Sequence, residues 1–219
     1  LIGLGVRGAS GKASSTLLER VGSSSGGSVE LEEVLLQAGH AKLSADKVSI
    51  TSLEARDASV SVHASGGKAS LRRIHIDGGG GLRVNAPYGD LELHDLSVKG
   101  AYSGLTIGLY TDFRATGIRI SNTQSHALRV EPRCEGTISN LLIDTPAAPA
   151  LVIDEHSYVT LVYMTALSSS AKKEPIVLCG PNGGTRLFNS ILWTSGQATA
   201  ASGTCALFNS VQGQDPHLV

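Results

Sequence analysis

Apolar residues in this chain recur as short in-out-in triplets rather than as helical stripes. Ile74-His75-Ile76, Leu96-Ser97-Val98, Ile118-Arg119-Ile120, Leu141-Leu142-Ile143, Met164-Thr165-Ala166 and Ile191-Leu192-Trp193 begin 22, 22, 23, 23 and 27 residues apart. Each is followed by a second triplet: Leu82-Arg83-Val84, Leu105-Thr106-Ile107, Leu128-Arg129-Val130, Leu151-Val152-Ile153, Ile176-Val177-Leu178 and Cys205-Ala206-Leu207. A third short strand precedes each first triplet, as in Leu91-Glu92-Leu93, Phe113-Arg114-Ala115 and Val159-Thr160-Leu161. Two-residue alternation sends successive side chains to opposite faces of a strand, and no window sustains the 3.6-residue period of a helix. Three such strands per repeat of a constant length mark a solenoid.

Leucine-rich repeats require Leu-x-x-Leu-x-Leu-x-x-Asn, whereas Leu91, Leu93, Leu96 and Val98 give Leu-x-Leu-x-x-Leu-x-Val. The six-residue beat of left-handed hexapeptide helices is absent. The expected fold is all-β: a right-handed parallel β-helix with three short strands per coil, its hand following the rule for parallel crossovers. Like positions then stack about 4.8 Å apart, and roughly nine coils give a rod of about 45 Å. The register is clear from residue 71 onward. Val34-Leu35-Leu36, Val48-Ser49-Ile50 and Val60-Ser61-Val62 read as less regular coils. One β-helix domain over 1–219 is therefore expected, irregular over 1–70 and regular over 71–219, with the Ser- and Gly-rich stretch at 21–28 as a turn or loop.

Composition supports this reading. A 41% hydrophobic share supplies a core, and only 4% aromatic residues suits thin layers of small and β-branched side chains. A formal charge of −1, with no Lys/Arg run longer than two, offers nothing to a nucleic-acid backbone. No stretch approaches the length of an apolar membrane-spanning helix. The opening "LIGLGVRGASGK" reads as a mature or trimmed end, and "GQDPHLV" stops without a capping element. The chain is accordingly expected to be a fragment of a longer protein.

The closing runs Asn189 to Trp193, Ser210 to Gly213 and Asp215 to Val219 give Asn-Ser-Ile-x-Trp, Ser-Val-Gln-Gly and Asp-Pro-x-Leu-Val in short succession. This resembles the last coils of bacterial secreted and outer-membrane parallel β-helix repeat proteins of the pectin-lyase-like superfamily. The resemblance implies the β-helix fold and export to an extracellular or outer-membrane setting. Members of that group include polysaccharide lyases, epimerases and adhesins, so it leaves activity open. The favoured expectation is a non-catalytic structural, adhesive or glycan-contacting module, and the alternative is a lyase or epimerase acting on an acidic glycan.

Outward positions read as columns supply the candidate sites. Asp90, Asp112 and Glu135 are spaced 22 and 23 apart, and stacked carboxylates repel unless a cation such as Ca²⁺ bridges them or they splay into water. Tyr88 and Tyr110 flank this column and could hold a sugar ring or serve the turn structurally. Arg72, Glu92 and Arg114 read as an ion-pair ladder. Lyases of the superfamily neutralise a substrate carboxylate with Ca²⁺, Arg or Lys, which makes Arg119 and Arg129 catalytic candidates, although the next coil offers only Leu142 and Val152 in their columns. His126 with Arg129 and Arg133, and Asp154-Glu155-His156, are further groupings with acid-base character.

Cys134, His156, Cys179 and Cys205 fall near one line along the rod. Cys179 and Cys205 lie on adjacent coils and suit a disulfide, while Cys134 lies too far from Cys179 to bridge. A metal held by His156, Cys179 and Cys205 is the weaker alternative, because a line of ligands converges poorly. Finally, outward positions turn apolar toward the C-terminus at Leu142, Val152, Val162, Phe188 and Leu192, which predicts a contact there with a loop, a neighbouring protein domain, another subunit or a glycan.

Overall fold

The computed structural model describes residues 18–21, 27–146, 149–170, 174–194 and 200–213, and every element among them is a β-strand. The closing motif at 215–219 and the opening residues 1–17 lie outside the described residues. Strands pair in parallel from coil to coil, which satisfies their backbone N–H and C=O groups across the repeat.

Three columns of strands build the wall. The first stacks Ile76, Val98, Ile120, Ile143, Ala166 and Leu192 inward. The second stacks Val60, Leu82, Leu105, Leu128, Leu151, Val177 and Ala201. The third stacks Leu71, Leu93, Ala115, Ile138, Leu161, Leu187 and Leu207. Seven rungs in each of the last two columns make about six turns of parallel β-helix in regular register. That is fewer than the roughly nine expected, because the N-terminal part does not keep the same step. There Leu18–Val21 pairs with Ala41–Leu43 across a register irregularity, and Ser28–Asp77 is a continuous 50-residue β-segment that bends at left-handed residues such as Glu33, Ser52, Asp57 and Arg73.

Each coil turns on residues in the left-handed region. The corner from third to first column holds Arg73, Asp95, Gly117, Asn140, Tyr163, Asn189 and Asn209, all at φ between 47° and 67°. The corner from second to third column holds Tyr88, Tyr110, Arg133, His156 and Asn182, at φ between 56° and 61°. Asn and Gly tolerate this conformation, whereas bulky residues adopt it at a cost. One left-handed residue bends a strand without breaking its ladder, so third and first columns are continuous in Gly89–Lys99, Thr111–Ser121, Glu135–Thr145 and Tyr158–Ser168.

The register corrects the sequence reading in the last coils. One coil lengthens to a step of 26 residues between Leu161 and Leu187. Ile191 therefore stands opposite Thr165 on the outside, and Leu192, opposite Ala166, is fully buried. Leu192 is a core residue rather than part of an outer contact. Similarly Val177 and Cys179 point inward while Leu178 points out. Cys205-Ala206-Leu207 belongs to the third column opposite Thr185–Leu187, and the second column ends in Ala201–Gly203. Arg72 pairs with His94, so the row containing Glu92 and Arg114 begins at Ser70, with Arg72 reaching Glu92 diagonally at 3.6 Å.

The interior is almost wholly aliphatic, with Leu71, Ile74, Leu91, Leu93, Leu105, Ile107, Ile118 and Ile120 fully buried. Phe113 is accommodated because its inward neighbour on the next coil is Gly136, where any Cβ would strike the Phe113 ring and carbonyl. Full burial of each such side chain contributes roughly 1.5–3 kcal/mol. Leu96→Ala, at a core rung 2% exposed, is expected to cost about 2–5 kcal/mol in urea unfolding. Leu142→Ala, on the outer face of the same wall, is expected to cost about 1 kcal/mol or less.

Candidate functional site

The corner from second to third column carries the most exposed aromatic surface. Tyr88 is 82% exposed and stacks on Tyr110, with ring centroids 4.9 Å apart and planes 27° from parallel. Arg133, one coil on, lies 5.4 Å from the Tyr110 ring centre and donates a 2.8 Å hydrogen bond from Nη1 to the Tyr110 hydroxyl. Equivalent corner positions thus make a ladder of ring, ring and guanidinium, held by stacking and cation–π attraction.

Two residues further along each coil, the register sets Lys68, Asp90, Asp112, Glu135 and Tyr158 in one row. The three carboxylates are exposed and in line. Among the described residues, however, no three His, Cys, Asp or Glu side chains gather closely enough to hold a metal ion, this row included. The register aligns the backbone of this row, and its carboxylates remain exposed to water.

The outer face of the second column is a paired network. Arg83 bonds Glu131 at 2.7 Å across two coils, and Arg129 bonds Asp154 at 2.8 Å. Thr106 lies between the arginines, 9% exposed. Its hydroxyl is 3.4 Å from His126 Nε2, while Ser125 Oγ is 3.3 Å from His126 Nδ1. Burial, then the Arg129 charge, holds the His126 imidazole below its ordinary pKa, with Asp154 opposing. Asp154 therefore joins His126 and Arg129, whereas Glu155 and His156 point away on an exposed turn. Arg119 stands in the first column between Ser97 and Leu142, so it and Arg129 occupy different faces. Sequence reasoning did not find the Arg83–Glu131 pair. Its signal was opposite charge at a separation of 48 residues, about two coil lengths.

Cys179 and Cys205 form the disulfide, with Cα atoms 5.5 Å apart. The bond spans the last corner, where Gly203 at φ +86° lies so close to the Cys179 carbonyl that a side chain would overlap it. With both sulfurs bonded, no metal site with His156 forms. Cys134 is free and buried; its thiol donates to the Gly108 carbonyl at 2.9 Å, and burial pushes its pKa up to about 11.

The apolar outer positions do not share one face. Leu142 lies in the first column, Val152 in the second, and Val162 and Phe188 in the third. Val162, Phe188 and Phe208 are contiguous, with the two Phe rings stacked at 4.8 Å, and shorter apolar pairs stand at Val152–Leu178 and Ile191–Val211.

Fold and site together define a parallel β-solenoid, clipped by a disulfide and bearing an aromatic ladder at one corner. Compared with known proteins, the chain matches no family model, no curated protein and no solved structure.

Two outcomes are expected. Because the folded pKa of His126 is depressed, the unfolded chain binds more protons just below pH 6.5, and stability falls as pH drops through that window. Thermal melts from pH 8 to 5 should show a steeper loss in wild type than in His126→Gln. Cys179→Ser with Cys205→Ser opens a cross-link of sequence separation 26 and should cost about 3–4 kcal/mol in urea unfolding. Cys134 in that variant should label with thiol reagents only on unfolding.

Proposed function

We propose that this chain is a rigid, non-catalytic β-helix module of an exported or cell-surface bacterial protein, akin to the pectin-lyase-like β-helix repeat proteins, and that it contacts glycan along its tyrosine corner. The observation that carries the reading is the Tyr88–Tyr110 stack. Both residues sit at left-handed φ, 59° and 56°, at a corner where the equivalent residue Asn182 meets the same demand cheaply. Holding bulky rings there costs on the order of 1 kcal/mol each. Tyr110 is held by Arg133, but the fold gains little from Tyr88, which is largely in water. A pre-stacked pair of rings beside carboxylates is suited to the apolar face and hydroxyls of a sugar. The Cys179–Cys205 disulfide supports an oxidising compartment.

The alternative, a lyase or epimerase acting through Arg119 or Arg129, has less support. Arg129 is already neutralised by Asp154, and Arg119 lies on another face. A Ca²⁺-dependent version would need ligands closer together than Asp90, Asp112 and Glu135.

The test is Tyr88→Asn with Tyr110→Asn. Relief of backbone strain should leave the melting temperature unchanged or raised by a few degrees. Retention in affinity gels containing polysaccharide should fall about tenfold or more. A variant that melts much lower and binds as before would return the two tyrosines to a structural role.

A further inference from the structure

Beside the acidic row the outer wall is interrupted. Along the third column the outward row runs Glu92, Arg114, Thr137, Thr160, Arg186 and Ala206. Two short side chains thus stand between two long ones. In the neighbouring row Glu135 is followed by Tyr158, and then the chain places Gly184 beneath the Tyr158 ring, 2.9 Å from where a Cβ would sit. Short threonines and the absent side chain at Gly184 leave a hollow of about 480 Å³, lined by Glu135, Thr137, Tyr158, Thr160 and Arg186.

Those five side chains differ from the charged groups of the second column. There, each arginine is bonded to a carboxylate. Around the hollow, among the described residues, none of the five makes a side-chain hydrogen bond or ion pair. Two hydroxyls, a carboxylate, a guanidinium and a ring 57% exposed line one space that is open to water, without protein partners. Hydroxyls donate and accept, the carboxylate accepts, and the guanidinium donates in a fork. A ligand matching this set carries many hydroxyls and one apolar face.

We propose that this hollow is a subsite for a neutral pyranose unit of a glycan, with the Tyr158 ring under the sugar face, Glu135 and Arg186 on its hydroxyls, and Thr137 and Thr160 at its edge. The lining charges cancel, and Asp112 and Asp90 continue the carboxylate row from Glu135. The lining thus offers a uronate no net positive charge, and the ligand it matches is a neutral saccharide rather than a polyuronate. The inference rests on the glycan-contacting reading above and deepens it. Tyr110 lies in the corner row directly beside Glu135's row, so one strand of glycan running along the axis spans the tyrosine corner and the hollow.

Wild type, Tyr158→Ala, Thr160→Phe and the Tyr88→Asn, Tyr110→Asn double variant would be run in native affinity gels. The gels would contain β-glucan, xylan, galactomannan or polygalacturonate, and each protein's melt would serve as its folding control. The expected result is wild-type retardation in at least one neutral polysaccharide and none in polygalacturonate. Tyr158→Ala should weaken it about tenfold, and Thr160→Phe, which fills the floor while keeping both charges, should weaken it similarly with an unchanged melt. Retardation lost in the corner variant but retained in both hollow variants would overturn the subsite and leave the corner reading intact. Preference for polygalacturonate would overturn the neutral-sugar assignment. No retardation of wild type in any gel would overturn both.

Discussion

Everything in this molecule depends on each coil returning to the backbone of the one before it. A strand in a parallel stack is satisfied only if the next turn presents its N–H and C=O groups at the same height. The chain must therefore close a triangular circuit in a nearly constant number of residues. Left-handed corner residues make the circuit possible, since a single such residue turns the strand while its neighbours stay bonded. Inward positions then fall in line as aliphatic files from Leu71 and Ile76 onward. Packing along those files and bonding between rungs are two views of the same repeat.

That constraint leaves outward positions free to specialise, and two faces have done so differently. On the second column, charge is internally balanced: Arg83 with Glu131, Arg129 with Asp154, and His126 half-buried between. Such a face is closed to ligands, because any newcomer must displace bonds already made. At the hollow beside the tyrosine corner, Glu135, Thr137, Tyr158 and Thr160 face solvent without protein side-chain partners. A solenoid separates paired from unpaired outward chemistry by angle around its axis rather than by loop.

Much of the fold was legible because the triplets carry phase. Leu-Arg-Val and Ile-His-Ile say which residues point inward, and the register from Ser59 onward bears them out. Phase was lost where three apolar residues adjoin. Ile191-Leu192-Trp193 reads equally well in either alternation, and only the 26-residue step places Leu192 inside. Ala201–Gly203 carries no apolar mark, so its place in the second column passed to Cys205-Ala206-Leu207. The Asp90, Asp112 and Glu135 row was correctly aligned, yet alignment of Cα atoms does not bring outward carboxylates together. The hollow escaped notice because it is made by what is missing, a side chain at Gly184 and length at Thr137 and Thr160.

The buried thiol of Cys134 has a bearing on how the right disulfide is kept. Its amide bonds Ser157 Oγ on the following coil, and its sulfur faces the Gly108 carbonyl on the preceding one. The coil containing Ser157 covers Cys134 in the folded solenoid. The thiol that could mispair is thus withdrawn, and its raised pKa keeps it protonated and slow to exchange. Burial between neighbouring coils, and not distance alone, keeps the third cysteine out of exchange with the disulfide.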